Sequence, residues 1–196
     1  MNLASLCIPA LAAALALSQM AAAQTVRIST TEGDIVVKLD REKAPKTVDN
    51  FMAYVKSGHY ANTIFHRVVP TFVIQAGGYT ANLAEKPTRP AIPLESDNGL
   101  SNLRGTIAMA RTAIPDSATS QFYFNVQDNL GLDKANARDG NGYAVFGSVV
   151  EGMEVVDKIR AVPTVSKPPF THLPEKPVVI RKVSVEADAP KPANPG

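Results

Sequence analysis

One arginine and one glutamine stand inside the most strand-like stretch of this chain, Phe65-His66-Arg67-Val68-Val69-Pro70-Thr71-Phe72-Val73-Ile74-Gln75, which Ala76-Gly77-Gly78 closes. β-Branched and aromatic residues dominate on both sides of Pro70, so each half reads as a strand. Pro70-Thr71 marks the bend between the halves, because proline has no N–H to give to a ladder. Arg67 carries five donors in a rigid fork and never loses its charge, so placing it among apolar neighbours is costly unless it has a task. The residue type alone permits an arginine ion-paired at a sheet edge as well as a functional one.

The rest of the chain reads as many short strands and two helices. Thr25 to Thr31 alternates Val26 and Ile28 with polar residues; Glu32-Gly33-Asp34 turns the chain, and Ile35 to Leu39 returns as the second strand of a hairpin. Ala44 to Ser57 is a helix, with Pro45 in its first turn, one apolar face of Val48, Phe51, Met52 and Val55, and Gly58 as its stop. Ala81 to Leu94, with three prolines, reads as a surface loop, and Glu95 to Asn102 as a polar connector. Gly105 to Ala110 is a strand of small and apolar residues, followed by a polar loop to Thr119. In the next strand, Ser120 to Val126, three adjacent rings must divide between both faces, so at least one faces away from the core or lines an open groove. A polar loop runs to Gly142, and Tyr143 to Val150 is a strand with a bulge at its glycine. Gly152 to Arg160 is a second, short helix with Val155, Val156 and Ile159 inward. Val162 to Pro177, with five prolines, reads as loop, and Pro177 to Val185 as the closing strand. Such a pattern fits a closed antiparallel barrel.

At 196 residues, 45% of them hydrophobic, the chain suits one domain with a sizeable core. A formal net charge of +2 is too weak to imply nucleic acid or an anionic membrane as partner. Residues 1–23 have an apolar run from Ile8 to Leu17 and end in Ala21-Ala22-Ala23, which reads as a secretory leader cut before Gln24. That run is too short for a permanent membrane span. Cleavage would remove Cys7, the only cysteine, and send a disulfide-free protein to the periplasm or outside the cell. The organisation expected is a leader over 1–23, a domain over 24–187 and a disordered Pro-rich tail over 188–196.

Phe-His-Arg-Val-Val-Pro-x-Phe-x-x-Gln-x-Gly resembles the signature of the cyclophilins, the barrel-shaped peptidyl-prolyl isomerases, and Pro45-Lys46-Thr47-Val48-Asp49-Asn50-Phe51 is similar to their first helix. The resemblance spans about residues 25–185. It implies a mostly β fold, a closed eight-stranded antiparallel β-barrel capped by two α-helices. It also implies a catalytic role for Arg67, as donor to the prolyl nitrogen. Phe72 and Val73 fall on positions of the proline pocket, and Gln75 on a position that holds the substrate backbone and the arginine. Ala110, Tyr123 and Leu132 fall on groove positions. Tyr123 stands where phenylalanine is usual, adding a hydroxyl at the pocket wall. Arg111 replaces an asparagine and Tyr143 a histidine, so contacts with the substrate backbone would differ, and an insertion between Leu132 and Tyr143 blurs that last alignment. Gly131 stands where drug-sensitive members carry a tryptophan that grips the cyclic peptide cyclosporin, so binding of that inhibitor should be weak.

The chemistry needs neither metal nor cofactor, and His59, His66 and His172 lack metal-ligand spacing. Each of the three reads as a surface or hydrogen-bonded residue. Ser117, Thr119 and Ser120 have no evident His-Asp pair, and no helix pattern follows Gly77-Gly78 to make a phosphate loop. The function expected is peptidyl-prolyl cis-trans isomerisation by a monomer acting on proline-containing peptides and unfolded protein segments. The competing reading is a non-catalytic proline-peptide binder or holdase chaperone on the same fold.

Overall fold

The computed structural model describes residues 24–186. The expected leader over 1–23 and the expected tail over 188–196 lie outside the described residues. The hairpin forms as read, from β1 (Thr25–Thr30) and β2 (Asp34–Leu39). The signature stretch gives β3 (Thr63–Val68) and β4 (Val73–Thr80), and β4 runs on through Ala76-Gly77-Gly78 instead of closing there. β5 (Thr106–Met109), β6 (Phe122–Asn125), β7 (Val145–Glu151) and β10 (Val179–Val185) complete a closed barrel in the order β1-β10-β3-β4-β6-β5-β7-β2. Every pairing in it is antiparallel.

Alternation along the strands gives the barrel two faces. Ile74, Ala76, Ile107, Met109, Phe122 and Phe124 point into the main core, and their alternates Val73, Ala108 and Tyr123 form a separate apolar cluster. The middle ring of the aromatic triplet therefore faces away from the core. The bulge read in β7 is present: Ile107 pairs with Gly147 but Ala108 with Val145, leaving Phe146 extra. Gly147 is needed there, because a Cβ would come within 2.6 Å of the Lys38 carbonyl oxygen. The bulge lets Phe146 enter the core while Val145 joins the outer cluster.

Helix α1 (Pro45–Lys56) drives Phe51 into that core, with ring centroids 5.1 Å from Tyr60, 5.6 Å from Phe122 and 5.2 Å from Phe146. Losing such a ring typically costs about 3–5 kcal/mol. Ala44, before the helix, has no side-chain oxygen with which to cap it. The Glu95 carboxylate does so instead, accepting from the backbone N–H groups of Lys46 at 3.1 Å and Thr47 at 2.8 Å. Helix α2 (Met153–Arg160) buries Val155, Val156 and Ile159, as its spacing predicts.

The expected loop over Val162 to Pro177 instead contains a hairpin, β8 (Thr164–Lys167) and β9 (Phe170–Pro174). Its prolines sit at the turn, at the strand end and outside both strands, where a missing donor costs no ladder bond. β9 packs on β3, and Phe170 stacks edge-on against Tyr79 at 5.0 Å.

Candidate active site

Arg67 lies directly opposite Gln75, Gln75 opposite Tyr123, and Tyr123 opposite Ala108, in a row across β3, β4, β6 and β5. The row belongs to the outer face, since its strand neighbours Ile74, Phe122 and Phe124 fill the core. Around it Val73, Ala108, Tyr123 and Val145 are buried, and Phe72, Leu100, Ala110, Leu132 and Tyr143 pack on them. The structure thus brings together all the apolar positions expected for the pocket and places Arg67 and Gln75 on the same outer row.

The turn between β3 and β4 presents Phe72. Val69 N–H donates to Val73 O at 2.9 Å and Phe72 N–H to Val69 O at 3.0 Å, with Pro70 presetting the first bend. The Phe72 carbonyl accepts from Asn129 Nδ2 at 2.9 Å, which ties the ring's backbone to the far side of the groove. The Arg67 guanidinium carbon stands 5.7 Å from the centroid of the Phe72 ring. Among the described residues it has no ion pair and no side-chain hydrogen bond, so its fork is open to a ligand. Gln75 makes no bond to Arg67 either; its Nε2 donates to Gln121 Oε1 at 2.8 Å.

Tyr123 corrects one expectation. Its hydroxyl is not on the pocket wall but turned inward, donating to Asn102 Oδ1 at 2.8 Å, and burial pushes its pKa well above the usual phenol value. Only its ring serves the pocket. Asn102 belongs to a buried network that sequence reasoning missed. Asn125 Nδ2 donates to Asn102 Oδ1 at 3.2 Å and to Thr106 Oγ1 at 2.9 Å, and Asn129 Nδ2 donates to Asn125 Oδ1 at 2.7 Å. The Asp133 carboxylate accepts from Asn102 N–H at 2.7 Å and from Asn102 Nδ2 at 2.9 Å. One signal was present in the chain: Asn125 directly follows the aromatic triplet, and a buried amide needs partners.

Arg111 is also placed differently from expectation. Its side chain is 1% exposed and ion-paired to Asp139 at 2.5 Å, so the guanidinium is not presented to a substrate backbone. Leu132 falls in a single 3-10 turn, Leu130–Leu132. Beyond it, a groove of about 600 Å³ runs between Phe72, Gly131, Arg138 and Tyr143. A Cβ on Gly131 would meet nothing within 4 Å, so the groove is open where it stands. A larger hollow of about 1010 Å³ beside Lys38 to Glu42 shares only Leu100 and Val145 with the pocket cluster and is not lined by Arg67. Among the described residues, no three His, Cys, Asp or Glu side chains are grouped to hold a metal ion.

A guanidinium without a protein partner among the described residues, beside an apolar cluster on the outer face of a closed barrel, makes a site fit to hold a peptide. The sequence profile of the cyclophilin type peptidyl-prolyl cis-trans isomerase/CLD family matches residues 25–185. "Peptidyl-prolyl cis-trans isomerase A" of Dickeya dadantii (strain 3937) is 52% identical over 160 residues, 82% of this chain and 83% of that protein. "Peptidyl-prolyl cis-trans isomerase B" of Escherichia coli (strain K12) is 48% identical over 161 residues, 82% of this chain and 98% of that one. The crystal structure of a Cryptosporidium parvum cyclophilin type peptidyl-prolyl cis-trans isomerase in the presence of the dipeptide Ala-Pro superposes with TM-score 0.70 at 26% identity, covering 84% of this chain and all of that one (100%). The chain belongs to the cyclophilin family, and its activity is peptidyl-prolyl cis-trans isomerisation.

His66, next to Arg67, is not a surface histidine. It is buried, its Nδ1 finds no partner among the described residues, and burial lowers its pKa from 6.5 to about 4. The unfolded chain therefore takes up this proton near pH 6.5 and the folded chain only near 4, so stability should fall as pH drops through that window. The whole shift corresponds to about 3 kcal/mol. His59, whose pKa burial also lowers, adds in the same direction. Urea unfolding of wild type and His66→Gln at pH 7.5 and 4.5 isolates the His66 part: the difference between the two proteins should change with pH, and a constant difference would contradict it.

Proposed function

We propose that Arg67 is the catalytic donor of this isomerase. Phe72, Val73, Ala110, Tyr123 and Leu132 grip the prolyl ring, Gln75 holds the substrate backbone, and Tyr143 closes the groove. The observation that carries this reading is the Arg67 fork, open on the outer row beside the apolar cluster. Rotation about an X-Pro bond faces about 18–20 kcal/mol, and unaided it takes tens to hundreds of seconds. Turnover at hundreds per second needs roughly 5–7 kcal/mol of lowering, at 1.36 kcal/mol per decade. A donor aimed at the prolyl nitrogen withdraws its lone pair from amide resonance, and a dry pocket strengthens that bond. No nucleophile is required. Proline-containing peptides and unfolded segments are the natural substrates of such a site, and the related structure in the presence of the dipeptide Ala-Pro supports that class. The sequence of residues 1–23 supports an exported enzyme, and a mature mass beginning at Gln24 is its check.

Two variants separate the roles. Arg67→Ala should lower kcat and kcat/KM together by roughly 10²–10³ while peptide affinity changes much less. Phe72→Ala should lose affinity as well as rate, because its ring holds ground state and transition state alike. A folded Arg67→Ala protein working at the wild-type rate would refute the assignment of Arg67 as the donor. Cyclosporin should bind weakly, since Gly131 offers neither an indole donor nor an apolar wall; nanomolar affinity by calorimetry would refute that.

A further inference from the structure

The 133–142 loop leaves the pocket at Leu132 and re-enters it at Tyr143, where Tyr143 N–H donates to Leu132 O at 2.9 Å. Two pocket residues thus stand at the loop's two ends, and what fixes the loop fixes them. Arg111 does this from the loop that follows β5. Its Nε donates to Gly142 O at 2.8 Å, its Nη1 to Thr112 O at 3.0 Å, and its Nη2 to Asp139 Oδ2 at 2.5 Å. The guanidinium plane lies over the Tyr143 ring, 4.4 Å from its centroid. Asp139 in turn accepts from Asn141 N–H at 3.0 Å and Gly142 N–H at 3.3 Å. Gly142 has φ +66, and a Cβ there would lie 2.5 Å from Lys134 N, so the loop folds tightly back on itself around the buried arginine. Those backbone bonds, with Arg111 beside them, hold the Asp139 carboxyl at a pKa of about 2, ionised throughout the working range.

We propose that Arg111 is a positioning residue: it locks the 133–142 loop and the Tyr143 ring so that the groove beyond Leu132 takes an apolar side chain flanking the substrate's proline. The proposal rests on the isomerase reading. The apolar choice rests on Phe72, Leu130, Leu132, Ala137 and Tyr143, which line the groove at Gly131, while Asp128, Asn129, Arg138 and Asp139 form its polar part. A lysine could not reproduce the lock, because one ammonium cannot address two carbonyls and a carboxylate in one plane while stacking on a ring.

The test compares wild type, Arg111→Ala, Arg111→Lys and Asp139→Asn on two X-Pro peptides carrying either alanine or leucine beside the proline. Amide exchange of residues 133–142 is followed in the same proteins. Misplacing a wall by about 1 Å can cost up to ~10²-fold. The expected result is a KM for the leucine peptide raised roughly ten- to a hundredfold, a smaller change in kcat, a lost preference for leucine over alanine, and faster exchange in the loop. Arg111→Lys should not rescue. Should Arg111→Ala fail to fold, Asp139→Asn decides, since it removes the ion pair and leaves Arg111 its two carbonyls. Folded variants with wild-type KM and a protected loop overturn the proposal, as does an equal loss on both peptides. A wild-type protein that isomerises neither peptide overturns the isomerase reading itself.

Discussion

Strand register is the constraint on which the site depends. Arg67, Gln75, Tyr123 and Ala108 form one row only because four strands of the barrel are aligned as they are. Side chains alternate with a period of two, so a slip of one residue in any of these strands would send its site residue inward and a core ring outward. The core enforces the alignment: Ile74, Ala76, Phe122 and Phe124 are fully buried, and a slipped β4 or β6 would expose them. The closed barrel leaves no free edge along which slippage could start. The same burial that stabilises the fold therefore aims the site residues.

An exposed apolar pocket needs support of another kind, because hydrophobic packing alone would let it collapse. Here that support is polar. Asn102, Asn125, Asn129 and Asp133 link β6, the segment before β5 and the 3-10 turn, and reach the Phe72 carbonyl and the Tyr123 hydroxyl. Such a network is costly when half satisfied and rigid when complete. Arg111 continues the principle on the other side of the groove, where the ion pair with Asp139 lies at the end of a side chain that is itself almost wholly enclosed. Arg67 is the exception, a guanidinium that stands over the Phe72 ring and across from the neutral amide of Gln75, with no carboxylate paired to it among the described residues.

Periodicity makes the hairpin, both helices, the inward faces of Phe51 and Val155 and the bulge in β7 legible in the sequence itself, because each depends on neighbours within one or two turns of chain. The motif around Arg67 locates the pocket. The rest depends on partners far away in sequence. Tyr123 differs from phenylalanine by one oxygen, and only the position of Asn102, 21 residues away, decides that it points inward. Arg111, in a polar loop, reads as a contact for the substrate backbone until Gly142 and Asp139, 31 and 28 residues on, engage it. The five prolines after Val162 argue for loop, yet their spacing leaves room for two short strands. The burial of His66 is not legible because nothing local announces its stacking with Tyr79 and Phe170.

The central claim, that Arg67 works because its fork is left unpaired, is most directly tested by Gln75→Glu. The substitution is nearly isosteric and sets a carboxylate directly across the strand pair from Arg67. Gln75→Leu, which removes the amide without adding charge, is the control. Isomerisation of an X-Pro peptide, followed by exchange NMR on folded protein, should fall well below the Gln75→Leu level in Gln75→Glu, because the new ion pair occupies the donors. A loss of roughly 10²-fold is the expected scale for one preorganised donor. Equal rates in the two variants would mean that an engaged guanidinium catalyses as well as a free one, and the account would be wrong.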